Sequence, residues 1–192
     1  IAEDRYGGLN QILPAGFYRV NTVSNNQFVS QKKLFNDLTS GLANVSSYYS
    51  IQNQYLGQFS TDLGNLEYDN NIPFHQLDDP TILNNFLGVR YIFNQKYSVN
   101  GSKVPGTYDL IAAGKEKKDQ NQESVYQAEL YKTTEAFPLL WLSYKAISPS
   151  RYQKLSASQK ERALASGVVV KGLGLKAAKL TGVKTIKASL VA

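Results

Sequence analysis

Hydrophobic and polar positions along this chain switch between a period of two and a period near 3.6, and each switch predicts a change of element. Residues 16–23 (GFYRVNTV) are rich in β-branched and aromatic side chains and run into the turn formers Ser24, Asn25 and Asn26, which predicts a strand. Further on, Ile51, Tyr55, Phe59 and Leu63 recur at i, i+4 and lay one apolar stripe on a helix, with Ser50 as its cap, Gly57 as a weak point and Gly64 as its stop. Asp79 and Pro80 open a second helix, because the Asp accepts a free N–H and the Pro stands where no donor is needed. Leu83, Phe86 and Leu87 form its buried stripe and Gly88 closes it. Residues 89–93 (VRYIF) then read as a strand reached across one glycine, a short connection of the kind found where helices layer on a sheet.

Residues 94–123 break the pattern. Asn100 and Gly101 signal a tight turn, Val104, Pro105 and Gly106 another, and KEKKDQNQE (115–123) is almost wholly polar, so a solvated insertion is expected here. Residues 125–131 (VYQAELY) and 138–144 (PLLWLSY) read as two strands joined as a hairpin across 133–136. Ser148 and Pro149 open a short helical turn, and Ser156 with Gln159 makes a capping box for a helix that should stop at Gly167. Residues 168–170 (VVV) look like a short buried strand. Beyond them Gly172, Gly174 and Gly182 interrupt a Lys-rich tail whose end, KTIKASLVA, reads as one more strand. The expected fold class is α+β, a small mixed β-sheet with helices packed on it. Residues 1–167 form the domain, 94–123 its polar insertion, and 168–192 a basic tail that begins a following β-rich subdomain.

At 192 residues, with 42% hydrophobic and 19% charged side chains, the chain has enough apolar material for one domain and is neither a disordered chain nor a coiled coil. Cysteine is absent, which excludes disulfides and thiolate chemistry, and suits an exported Gram-positive protein as well as a cytosolic one. The opening residues, IAEDRYGG, match neither an initiator Met nor a signal peptide, so a piece of a longer protein is expected. The longest apolar run, FPLLWL (137–142), falls far short of the roughly 20 residues that span a bilayer. The net charge of +6 is unevenly spread: residues 1–167 hold 16 Lys and Arg against 15 acids, whereas 168–192 hold five Lys (171, 176, 179, 184, 187) and no acid. A neutral body argues against nucleic acid as a partner. The basic tail suits an anionic membrane or wall surface, and equally a solvated edge of whatever follows.

Candidate chemistry is sparse. The sole histidine, His75, stands in a loop ahead of Asp78 and Asp79, and Asp79 is accounted for as a cap, so neither a metal site nor acid–base work is expected there. Gly172 and Gly174 lack the third glycine of a dinucleotide fingerprint, and no Gly-x-Ser-x-Gly elbow occurs. No catalytic residue, metal ligand or cofactor is assigned. Tyr supplies 13 of the 22 aromatic residues, and side chains with an apolar face and a polar edge suit contact with sugars or polyols. Asn44, Ser46, Tyr48, Tyr49 and Trp141 are the candidate ligand-binding residues on that ground; tyrosines at the margin of a core are the plainer account of the same positions.

Four segments, in order, resemble the extracytoplasmic region of the YfhO family of multi-pass bacterial membrane proteins. FYRV (17–20) is similar to its opening strand, and SSYYS (46–50) with a helix reaching DLG (62–64) is similar to its Ser- and Tyr-rich segment. FLGVRYIF (86–93) resembles its Leu-Gly-Val-Lys-Tyr strand. The most specific match is ELYKTTEAFPLLWLSYKAISPSRYQKLSASQKERAL (129–164), which resembles a run of Tyr and Lys, a turn, Ala-x-Pro-Leu, a strand and a Lys-Leu-Ser helix pair. The departures are residues 94–123 and Leu-Leu-Trp after Pro138. The resemblance implies a C-type glycosyltransferase-like parent with many transmembrane helices and this segment on its extracytoplasmic face. It further implies sugar transfer from a polyprenyl-phosphate-linked donor to a cell-wall or teichoic-acid-type polymer. The partners it implies are the parent's transmembrane helices and the polymer or lipid-linked sugar. No residue here matches the position of the catalytic acid in that class. The competing class is a structural or interaction module that binds no glycan.

Overall fold

In this computed structural model, which describes residues 6–25, 42–45, 54–64, 81–99, 101, 104–118 and 125–171, a four-stranded mixed sheet organises the chain. Its strands are β1 (Arg19–Ser24), β2 (Val89–Tyr97), β3 (Asp109–Lys118) and β4 (Val125–Lys132), in the spatial order β1-β2-β4-β3. β1 runs parallel to β2, while β4 is antiparallel to both β2 and β3. A parallel pair cannot be closed by a hairpin, so the chain crosses over between β1 and β2, and helices α1 (Gln54–Asp62) and α2 (Thr81–Phe86) lie in that connection. The fold class is α+β, as the residue pattern predicts.

The pleat sends successive side chains to opposite faces, and each face carries its own core. On one face Val20, Tyr91, Phe93, Tyr97, Tyr126, Ala128 and Leu130 pack beneath Tyr6 and Leu9 of the N-terminal segment, which makes one 3-10 turn at Leu9–Ile12. Aromatic edges meet faces there: Tyr6 and Phe93 lie 4.6 Å apart between ring centroids, Tyr18 and Tyr91 5.0 Å. On the other face Val23 and Ile92 pack with Leu63, Leu83, Val89 and Tyr108, and with Leu164 of α4 (Ala157–Ser166). α4 is further tied to α1 by Lys160, whose ammonium lies 3.1 Å from Asp62 Oδ1.

Both sheet edges are protected, by different means. Residues 43–45 close the outer edge of β1, where Val20 N–H donates to Ala43 O and Val45 N–H to Val20 O. Just past β1, Asn25 substitutes its amide for a missing strand: it accepts from Tyr97 N–H at 2.8 Å and donates to the Tyr97 and Val99 carbonyls. Among the described residues no strand pairs with the outer edge of β3, where two register irregularities and the exposed charges of Lys115, Glu116 and Lys118 discourage pairing with another chain.

Several expected elements differ from those found. Residues 94–123 hold the end of β2 and all of β3, because a polar outer face is what an edge strand requires, and alternation there is masked by charge. Residues 138–144 form no strand: both sides of β4 are taken by β2 and β3, and Pro138 has no N–H to give. Tyr55 of the predicted helical stripe is exposed, whereas Phe59 and Leu63 of the same stripe join the core. Val168 is exposed as well, in a two-stranded parallel pair of β5 (Ala146–Ile147) with β6 (Val168–Val169). The caps are as predicted: Ser148 accepts from Arg151 N–H at the start of α3 (Pro149–Gln153), and Ser156 and Gln159 form the reciprocal box of α4. Ser50, Ile51, His75, Asp78, Asp79, Pro80 and the tail beyond Lys171 lie outside the described residues.

Gly88 makes the α2-to-β2 turn at φ +73°, and a methyl group there would run into the Leu139 side chain and stand 3.1 Å from the Phe137 carbonyl oxygen. Gly88→Ala therefore meets both a left-handed backbone and an occupied space, and is expected to cost about 3 kcal/mol in urea denaturation. Gly8→Ala, at φ +86° with nothing within 4 Å, meets only the first and should cost about 1 kcal/mol.

Candidate functional site

Of the residues singled out from sequence, Asn44 sits against the outer edge of β1. It bridges to Val20, and its Nδ2 donates to Thr22 Oγ1 at 3.4 Å. Trp141 stands at the end of α2, half-buried, with its ring edge-to-face against Phe86 and Phe137, each 6.1 Å between centroids. Both side chains thus have packing roles in separate neighbourhoods. Ser46, Tyr48 and Tyr49 lie outside the described residues.

The polar cluster that sequence reading missed lies on the helix-bearing face of the sheet. The β2–β4 register sets Asn94 directly across from Glu129, with Lys96 two residues along β2 and Tyr131 two along β4, so all four side chains share one face. Glu129 is only 2% exposed and accepts three hydrogen bonds: from Lys96 Nζ at 2.8 Å, Asn94 Nδ2 at 3.0 Å and the Tyr131 hydroxyl at 2.8 Å. Burial by itself would raise the carboxyl's pKa; the bonds from Lys96, Asn94 and Tyr131, with the Lys96 charge, outweigh it and hold the group below its usual 4.5. Burial and the bond to Glu129 push the Tyr131 phenol up to about 12. Asn94 Oδ1 is buried with no hydrogen-bond partner among the described residues.

The chemistry of this cluster follows from its protonation. A carboxylate kept ionised and gripped by three donors has no proton to give near neutrality, and three of its four acceptor sites are engaged, which suits it to fixing β2 against β4. A smaller polar link crosses from sheet to helix, where Asn21 Nδ2 donates to Asn84 Oδ1 at 3.1 Å. Among the described residues no group of three or more His, Asp or Glu converges to hold a metal ion. An alternating strand such as VYQAELY gives Glu129 an outward position by pattern, whereas the fold leaves it 2% exposed.

A second feature is apolar. Residues 137–144 run irregularly past the end of α2, with Leu140, Leu142 and Tyr144 turned outward and exposed.

A family model described as bacterial membrane protein YfhO matches residues 5–191. The chain belongs to the YfhO family. The match runs through residues 94–123, so the polar stretch that carries β3 lies within the YfhO match. No curated protein and no solved structure matches the chain. This YfhO-family chain is thereby a bacterial membrane-protein segment, and no helix among its described residues is long and apolar enough to cross a membrane.

Because the folded-state pKa of Glu129 is depressed, its contribution to stability is complete above the ordinary value of 4.5 and is lost as pH falls through the lower folded value. Glu129→Gln should cost about 2 kcal/mol near neutrality, since the charged acceptor is removed and Lys96 and Tyr131 lose their partner. The gap between wild type and variant, read from urea midpoints, should narrow steadily below about pH 4.5.

Proposed function

We propose that this chain is the extracytoplasmic module of an integral-membrane glycosyltransferase, one that adds sugars from a polyprenyl-phosphate-linked donor to a cell-wall or teichoic-acid-type polymer. In this reading the module receives the acceptor and the transfer takes place elsewhere in the parent. The observation that carries it is the YfhO match across residues 5–191, joined to a folded sheet-and-helix layer with no helix among its described residues long and apolar enough to cross a membrane. Its buried carboxylate supports a non-catalytic role, because Glu129 is committed to Lys96, Asn94 and Tyr131. The acceptor contact is assigned to residues 44–49, where Asn44, Ser46, Tyr48 and Tyr49 supply amide, hydroxyl and phenol groups for a polyol phosphate.

A second reading, a scaffold that binds no glycan, is favoured by the packing of Asn44 on β1 and of Trp141 on Phe86 and Phe137. Two measurements separate them. Replacing residues 5–191 by a short linker in the parent should lower sugar incorporation into the polymer at least about tenfold; incorporation at the parental level would sink the acceptor reading. Glycerol-phosphate or ribitol-phosphate oligomers should shift the Tyr48 and Tyr49 resonances saturably, and a titration without such shifts would leave the scaffold.

A further inference from the structure

We propose that residues 137–145 form a membrane-surface anchor, an exposed apolar edge that enters the interfacial layer of an anionic bilayer. The inference rests on the chain's membership of a membrane-protein family and is independent of the sugar-transfer reading. Side chains along this segment alternate: Leu140, Leu142 and Tyr144 are 86%, 83% and 76% exposed, while Leu139, Trp141 and Ser143 between them are half-buried. Three large apolar or amphipathic side chains in a row, all turned outward, make a surface that water alone does not favour.

The segment is also held in place. Phe137 N–H donates to Asn85 O at 2.8 Å, and Phe86, Phe137 and Trp141 meet edge-to-face in a trio at 6.1–6.2 Å. The outward leucines therefore project from an aromatic base fixed to α2, so presenting them requires no ordering of a loose loop.

Charge identifies the occupant. Residues 136–160 contain no acid, and they carry Lys145, Arg151, Lys154 and Lys160. Lys160 is engaged by Asp62; the other three are exposed. Leu side chains beside Trp and Tyr rings, preceded by one exposed acid, Glu135, and followed by three exposed cations with no carboxylate before Glu161, match the interfacial layer of a bilayer with anionic headgroups, where rings sit at headgroup depth and cations meet phosphate. A protein partner would cover the leucines but gives no reason for the run of cations without an acid from Lys145 to Lys160.

The protein carries its own probe, since Trp141 is its sole tryptophan. The full 192-residue chain is mixed with vesicles of equal phosphatidylcholine and phosphatidylglycerol whose acyl chains are brominated. Trp141 emission should shift to the blue and be quenched saturably. The double variant Leu140→Ser, Leu142→Ser should bind about tenfold more weakly or less, with an unchanged far-ultraviolet spectrum, since both side chains are exposed. Vesicles of phosphatidylcholine alone should bind about tenfold more weakly than the anionic ones. Removing residues 172–192 controls for the basic tail, and quenching should persist without it. Binding without quenching would assign the attraction to the tail and overturn the proposal. Equal binding by wild type and the double variant would overturn it too, as would no binding at all, which would mean that a protein surface covers these leucines. None of these outcomes touches the sugar-incorporation assay, so the two readings fail separately.

Discussion

The parallel pairing of β1 with β2 is the constraint on which the rest of this architecture depends. Two parallel strands must be joined by a crossover that leaves the sheet and returns to it, which sends α1 and α2 over one face. That face then needs an apolar surface under the helices, supplied by Val23 and Ile92, and the opposite face needs a separate cover, supplied by Tyr6 and Leu9 from the N-terminal segment. β2 is consequently buried on both sides, flanked by β1 and β4 and packed against α2.

Within that frame the sheet carries more buried polar groups than its packing needs. Asn21 reaches Asn84 across the sheet–helix interface, Asn25 pairs with the end of β2, and Glu129 draws Asn94, Lys96 and Tyr131 together. Buried polar pairs add little net stability over apolar ones but are costly to break, so they penalise alternative registers. A one-residue slip of β4 along β2 would remove Glu129 from Asn94 and Lys96 and leave its carboxylate with Tyr131, on its own strand, as the one remaining donor of the three. The cluster thus adds to the alignment that Tyr126, Ala128 and Leu130 already set by facing the opposite core.

The same packing separates two regions of different chemistry. The Glu129 carboxylate is buried and held by three donors, one of them the largely exposed Lys96, while Asn94 Oδ1 beside it has no partner among the described residues. Residues 137–144 are open, displaced from the sheet because β4 has no free side, and rigid because Phe86, Phe137 and Trp141 hold their inner row. In a YfhO-family chain an outward apolar row has an obvious neighbour in the bilayer, and it sits beside the turn at Gly88, where helix and central strand join.

Local chemistry determined a good deal by itself. The capping box of Ser156 and Gln159, the Ser148 cap, the stop at Gly88 and the strands read at 16–23, 89–93 and 125–131 all depend on neighbours within a few residues, and each has its counterpart in the structure, the first as β1 at Arg19–Ser24. The family, too, was legible from ordered motifs, because each motif is a short stretch of chain. Tertiary structure decided what short stretches cannot. Whether PLLWLSY becomes a strand depends on a free sheet edge, and none was left beside β4. Whether KEKK ends a strand or lies in a loop depends on the partner that β4 offers it. Burial of Glu129 was equally hidden, since alternation assigns a residue to a face and only packing from elsewhere in the chain determines whether that face meets water.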